Sequence, residues 1–94
     1  MIKNFGDGET ELIWNGIVSK KLPFDIQNVA RRKLRMLNNA QNINDLRIPP
    51  ANHLEKLIGD MEGFHSIRVN NRWRLIFEWR NNDAYEVQII DYHK

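Results

Sequence analysis

The sequence predicts a small α+β domain, with two N-terminal helices packed on one face of a small twisted antiparallel sheet. Three observations predict it. Apolar residues at Ile26, Val29, Ala30, Leu34, Leu37 and Ala40 recur at helical spacing. From Arg72 to Trp79 the period drops to two, which puts Trp73, Leu75, Phe77 and Trp79 on one face of a strand. At 94 residues the chain has room for one domain, 1–94, and one core shared by both kinds of element.

Taken in order, residues 2–5 (IKNF) read as a short strand. A first helix starts near Asp7 or Gly8, runs through ETELIWN and stops at Gly16. Pro23 and Asp25 open the second helix, whose other face carries Gln27, Arg31, Arg35 and Asn38. NINDLRIPPANH is a connector in which Pro49-Pro50 enforces extended backbone, and LEKLIGDMEG is short, irregular and closed by glycines. Strands follow at about 64–69, 72–79 and 85–91. No repeat or low-complexity segment is present.

Register carries the first functional inference. A two-residue turn at Asn70-Asn71 would pair Ile67 with Arg74 and mix apolar with polar faces. A three-residue turn, Asn70 to Arg72, pairs Val69 with Trp73, Ile67 with Leu75 and Arg68 with Arg74, and one clean apolar face results. By the same reasoning an odd loop after Trp79 pairs Trp79 with Tyr85, Phe77 with Val87 and Leu75 with Ile89. The opposite face then collects Arg68, Arg74, Ile76, Gln88, Ile90 and Tyr92, with Arg72 at the turn. Like charges directly opposite one another destabilise a sheet, so Arg68 beside Arg74 marks a place for an anion.

Bulk properties set limits. Composition that is 41% hydrophobic and 28% charged is that of an ordinary globule, not a disordered tail. With no cysteine there is neither a disulfide framework nor a thiolate metal site. The opening MIKNFGDGETELIW holds acids where a signal peptide needs an apolar run. No stretch approaches the ~20 apolar residues of a membrane span, so a cytoplasmic protein is expected. The net charge of +2 is modest, but Arg68, Arg72, Arg74 and Arg80 fall within thirteen positions. Local basicity is the feature to explain.

There is no Gly-rich phosphate loop, no HExxH and no Ser or Cys nucleophile motif. What remains is the basic sheet face and the terminal Asp91-Tyr92-His93. Metal-free RNA cleavage needs a base for the 2′-hydroxyl, an acid for the 5′-oxygen and a cation for the charged phosphorane. Histidine suits either proton role, arginine's planar fork suits the phosphate, and tyrosine can donate a hydrogen bond or stack on a splayed base. Plainer readings compete. A Tyr-His tail is commonly a surface terminus, and alternating arginines are commonly a strand's solvated face. Trp73 and Trp79 fit the core, His53 and His65 fit surface or packing roles, and Arg31, Arg32, Lys33 and Arg35 fit a helix's wet face. That run is secondarily a contact for rRNA or an acidic partner.

The segment LRIPPANHLEKLIGDMEGFHSIRVNNRWRLIFEW, followed by VQIIDYHK, resembles the HigB branch of the RelE/ParE toxins. The shared marks are the proline pair, Leu-x-x-Leu-x-Gly-Asp, Ser-Ile-Arg-Val-Asn, Trp-Arg-x-x-Phe and the C-terminal Asp-Tyr-His. MIKNF and ARRKLRML extend the match to essentially the whole chain. The resemblance implies the toxin of a type II toxin–antitoxin module, a ribosome-dependent mRNA endonuclease that leaves a 2′,3′-cyclic phosphate without metal or other cofactor. It implies catalytic roles for Asp91, Tyr92, His93 and Arg74. His93 would be the general acid or base, Arg74 the phosphate clamp, Tyr92 the residue orienting the RNA, and Asp91 the one positioning the tail. Arg68, Arg72, Lys56 and His53 would bind RNA or its phosphates. The implied partners are the ribosome, mRNA and a helix-turn-helix antitoxin of the HigA kind, through which operator DNA is reached indirectly.

Two departures from the family pattern stand out. Many members have lysine before Gly-Asp, where this chain has Ile58. Some carry a second histidine upstream, and ungapped alignment places Glu55 there, with His53 nearby. Two other functions stay open: a gyrase-binding toxin of the ParE kind, which needs no catalytic tail, and a non-toxic member acting only as an antitoxin-binding co-repressor.

Overall fold

The computed structural model describes residues 1–92. Helices α1 (Gly8–Trp14) and α2 (Phe24–Asn39) precede a four-stranded antiparallel sheet of β1 (Glu55–Lys56), β2 (Phe64–Arg68), β3 (Trp73–Arg80) and β4 (Asp83–Asp91), in that spatial order. The expected α+β architecture holds.

Helix α1 begins where Asp7 caps it, its Oδ1 accepting from the Thr10 amide at 2.7 Å. It ends at Gly16, whose φ of +81° suits a residue without a Cβ. Ile13 seats α1 in the core, and the buried Thr10 hydroxyl accepts from the Ile89 amide, which ties the helix to β4. In α2, Ile26, Ala30, Leu34 and Leu37 form the buried stripe. Gln27 departs from the expected wet face. It is buried, donates to the carbonyls of Ser19 and Leu22, and accepts from the Ser19 amide. A buried amide with all these partners pins the helix connection instead of facing water.

The sheet follows the expected register from β2 into β3. Ile67 lies opposite Leu75 and Arg68 opposite Arg74, so Ile67, Leu75 and Phe77 meet the helices. Trp73 and Trp79 are partly buried against that core. Between β3 and β4 the expected register holds from Trp73 to Ile76, with Leu75 opposite Ile89. Beyond it, a bulge at Glu86 (φ +54°) shifts the pairing by one, so Trp79 faces Ala84 instead of Tyr85. A two-residue Asn81-Asn82 turn, both residues at positive φ, replaces the odd loop. Ala84 is thereby buried, and the Tyr85 ring lies under the Arg80 guanidinium at 4.0 Å.

Two other expectations change. Residues 2–5 make only two parallel bridges along β4, Ile2 to Ala84 and Phe5 to Val87, and form no full strand. Within the stretch expected to be irregular, Glu55 and Lys56 pair with Ser66 and His65 and add an edge strand.

Candidate functional site

The connector before β1 shapes the site. Asn52 is fully buried; its Nδ2 donates to the Leu46 carbonyl at 3.1 Å, and its Oδ1 accepts from Lys33 Nζ at 2.5 Å. Asn52 thereby fixes the turn after Pro49-Pro50 against α2. The next residue, His53, takes the left-handed conformation (φ +45°), and its carbonyl accepts from Arg74 Nη2 at 2.6 Å.

Arg74 is the hub. The expected solvated basic face is closed at this point: Arg74 is only 8% exposed, and Ser66 and Ile76 beside it are buried too. Its Nε donates to Ser66 Oγ at 2.9 Å, its Nη1 meets Glu55 Oε1 at 3.1 Å, and its guanidinium lies 5.4 Å from the centre of the Tyr92 ring. Burial lowers its proton affinity, Glu55 and Tyr92 work the other way, and Arg68 adds to the lowering. An arginine so placed remains a cation and needs anionic company. A cleft of about 340 Å³ opens over it, walled by Arg68, Arg74, Tyr92, Glu55, His53 and the Asn70-Asn71 turn.

Four of the residues singled out in the sequence thus share one cleft: Arg68, Arg74, Tyr92 and His53. Arg72 is turned away from it. Its Nε and Nη2 both reach Asp91 Oδ2, at 3.0 and 2.7 Å, on the exposed side of the β3–β4 pair. That contact strengthens the Arg72 guanidinium's hold on its proton, and the Tyr92 amide bonding to the Arg72 carbonyl at 2.7 Å fixes the strand's exit. Lys56 borders a neighbouring cleft of about 410 Å³, shared with Glu55, Ile58 and Tyr92. Ile58, directly before Gly59-Asp60, is 85% exposed there. His93 lies outside the described residues. Among the described residues, no three His, Asp or Glu side chains gather as a metal site.

Sequence reasoning missed Ser66 and gave Glu55 no role. Ser66 had a signal, since its strand parity puts it on the arginine face. Glu55 had only its place in an alignment, because a two-residue strand leaves no periodicity to read.

A four-stranded antiparallel sheet bearing two helices is the fold of RelE-like microbial toxins. YafQ from E. coli superposes with a TM-score of 0.63, at 15% identity, over 97% of this chain and 91% of that one. YoeB in its complex with YefM from Staphylococcus aureus gives 0.62, also at 15% identity, over 100% and 99%. The sequence narrows the class. Residues 5–93 match the family described as RelE-like toxin of type II toxin–antitoxin system HigB. Toxin HigB-1 of Vibrio cholerae is 47% identical over 73 residues, 78% of this chain and 76% of that protein. Endoribonuclease HigB of Proteus vulgaris is 32% identical over 93 residues, 99% of this chain and all of that protein. The chain belongs to the HigB family of type II toxins, and its natural counterpart is therefore an antitoxin. No helix among the described residues is long and apolar enough to cross a membrane.

Proposed function

We propose that this toxin is an endoribonuclease that cuts mRNA engaged on the ribosome in the cytoplasm, restrained by a helix-turn-helix antitoxin of the HigA kind. Through that antitoxin it reaches operator DNA. The observation that carries the reading is the pairing of Arg68 with Arg74 beneath Tyr92, at the point where β4 runs into the Asp-Tyr-His tail. Full-length similarity to a protein named Endoribonuclease HigB supports it.

The chemistry assigns each group a task. The substrate's 2′-oxygen attacks the adjacent phosphorus, the bond to the 5′-oxygen breaks, and the products are a 2′,3′-cyclic phosphate and a 5′-hydroxyl. Arg68 and Arg74 hold the phosphate and the charge that builds on it, since guanidinium donors are worth most in a partly desolvated cleft. Because Glu55 already occupies Nη1 of Arg74, an arriving phosphate exchanges one anion for another. Tyr92 stacks on or hydrogen-bonds the strand. His93 moves a proton, to the leaving 5′-oxygen or from the 2′-hydroxyl, and Asp91, held by Arg72, sets where the tail can reach. Lys56 and His53 add contacts to the RNA at the rim. None of these tasks calls for a metal ion.

The test is to map mRNA 3′ ends after induction, with Arg68→Ala and His93→Ala beside the wild type. Cuts in frame within translated messages, lost in both variants, are the expected result. Intact messages accompanied by DNA damage and filamentation would replace this reading with a gyrase-directed one.

A further inference from the structure

A second cleft, of about 500 Å³, lies where α2 meets the end of β2. It shares Arg68 and Asn70 with the first, so the two are neighbours along one surface. Among the described residues its charged lining is Arg32, Lys33 and Arg68, and no carboxylate borders it. Among the described residues, none of the three belongs to an ion pair. Lys33 gives a hydrogen bond to the uncharged Asn52, and burial, with the charge of Arg32 added, loosens its hold on its proton. Val29, Met36, Ala51 and Val69 complete the walls.

Three cations round one concave surface with no internal anion repel one another, and the cost falls when an external anion enters. The first cleft differs, because Glu55 neutralises Arg74 there from within. Phosphate groups in series satisfy two adjoining basic clefts joined by a shared arginine, as a nucleic-acid strand supplies them. An acidic protein segment could fill the second cleft, but it would have no reason to run on into the first. No aromatic ring among the described residues lines the second cleft, so it grips backbone, not base.

We propose that the second cleft is a backbone subsite for the RNA strand beside the cleaved bond, its phosphates taken by Arg32, Lys33 and Arg68. Arg68 is then the bridge between the scissile phosphate and its neighbour. The assignment rests on the reading of the first cleft as the scissile-phosphate site.

The test uses the whole chain, amide NMR and single-stranded uridine oligomers of three and eight nucleotides, with no ribosome present. The trimer is expected to move the signals of Arg68 and Arg74 and leave Arg32 alone. The octamer should move Arg32 and Lys33 as well and bind more tightly. In Arg32→Ala/Lys33→Gln, where glutamine keeps a donor for Asn52, the octamer should lose that advantage. Its log–log salt slope should shrink by about 1.4, at about 0.7 per single-strand phosphate. Arg32→Glu, at an exposed position, gives the same answer if the double variant melts early. An octamer that moves Arg68 and Arg74 but never Arg32 overturns the subsite alone. A trimer that leaves Arg68 and Arg74 unmoved overturns the first-cleft reading and the subsite with it. Variants that keep the octamer's affinity and lose the antitoxin's give this face to the protein partner and also overturn the proposal.

Discussion

Arg74 and Glu55 form an ion pair at the mouth of the cleft, Nη1 to Oε1 at 3.1 Å, with the arginine buried and the carboxylate about half exposed. The arrangement resembles a bound state with the wrong anion. The guanidinium is presented by Ser66 and the His53 carbonyl in a fixed orientation, and the one acid on it among the described residues comes from an edge strand only two residues long. A carboxylate so placed both keeps the cation soluble inside the fold and competes with phosphate for it.

Removing the charge of Glu55 without changing its shape tests that competition. Glu55→Gln is expected to bind single-stranded RNA more tightly than the wild type, with a steeper salt dependence, because one more cationic site is open to phosphate. The melting temperature should barely move, since half-exposed pairs contribute little. Fluorescence anisotropy across a salt series decides it, and affinity equal to or below that of the wild type contradicts the idea of exchange.

Arg74 itself is expected to be structural as well as functional. Arg74→Ala leaves the Ser66 hydroxyl and the His53 carbonyl without their donor, and losses of this kind cost about 2–4 kcal/mol. For a domain of this size that lowers the melting temperature by roughly 8 °C or more. Arg74→Lys keeps a cation but not the fork, so it should melt nearer the wild type and still fail to cleave. Circular dichroism beside a cleavage assay separates the two effects. An unshifted melt in Arg74→Ala would mean that those hydrogen bonds contribute nothing. For the same reason Arg68→Ala is the cleaner probe of phosphate binding.

The Arg68–Arg74 pairing is legible in the sequence because strand parity rejects the two-residue turn, and the short three-residue turn then puts Ile67, Leu75 and Phe77 on the helix side. The stripe of α2 and the stop at Gly16 are legible for equally local reasons. What the sequence hides is set by long-range contacts. Arg74 is buried because the connector crosses it, and the connector's path depends on Asn52 meeting Leu46 and Lys33, residues 6 and 19 positions away. The bulge at Glu86 places an ordinary polar residue at positive φ, for which no residue type is a signal. The Asn81-Asn82 turn was readable, since asparagine tolerates that conformation, but an unbroken alternation through β4 argued against it.

The exposed Arg72–Asp91 pair is expected to act on the tail rather than on the fold. Arg72→Ala and Asp91→Asn should each leave the melting temperature near that of the wild type and reduce cleavage. Misplacing a catalytic group by about an ångström costs up to roughly 10²-fold. The two substitutions remove the same contact, so the double variant should be little worse than either single one. Cleavage rates for the four members of this cycle provide the check. Strictly multiplicative losses would show that the two residues work independently.

His65 makes the stability of the toxin depend on pH. Its ring stacks on Phe77 with centroids 6.2 Å apart, its Nδ1 is buried with no hydrogen-bond partner among the described residues, and Lys56 lies directly across from it on β1. Burial first, then the charges of Lys56 and Arg47, push its pKa below the ordinary histidine value of 6.5. A depressed histidine pKa means that the unfolded chain takes up the proton before the folded one does. Stability is therefore fully present above about pH 6.5 and falls as the pH drops below that value, down to the folded-state pKa. His65→Phe keeps the stacked ring and removes the proton site. Urea midpoints at pH 7.5 and 5.5 should fall for the wild type and fall less for the variant. The difference between the two isolates this group, because the two proteins are otherwise identical. Midpoints that decline in parallel would place the pH sensitivity elsewhere.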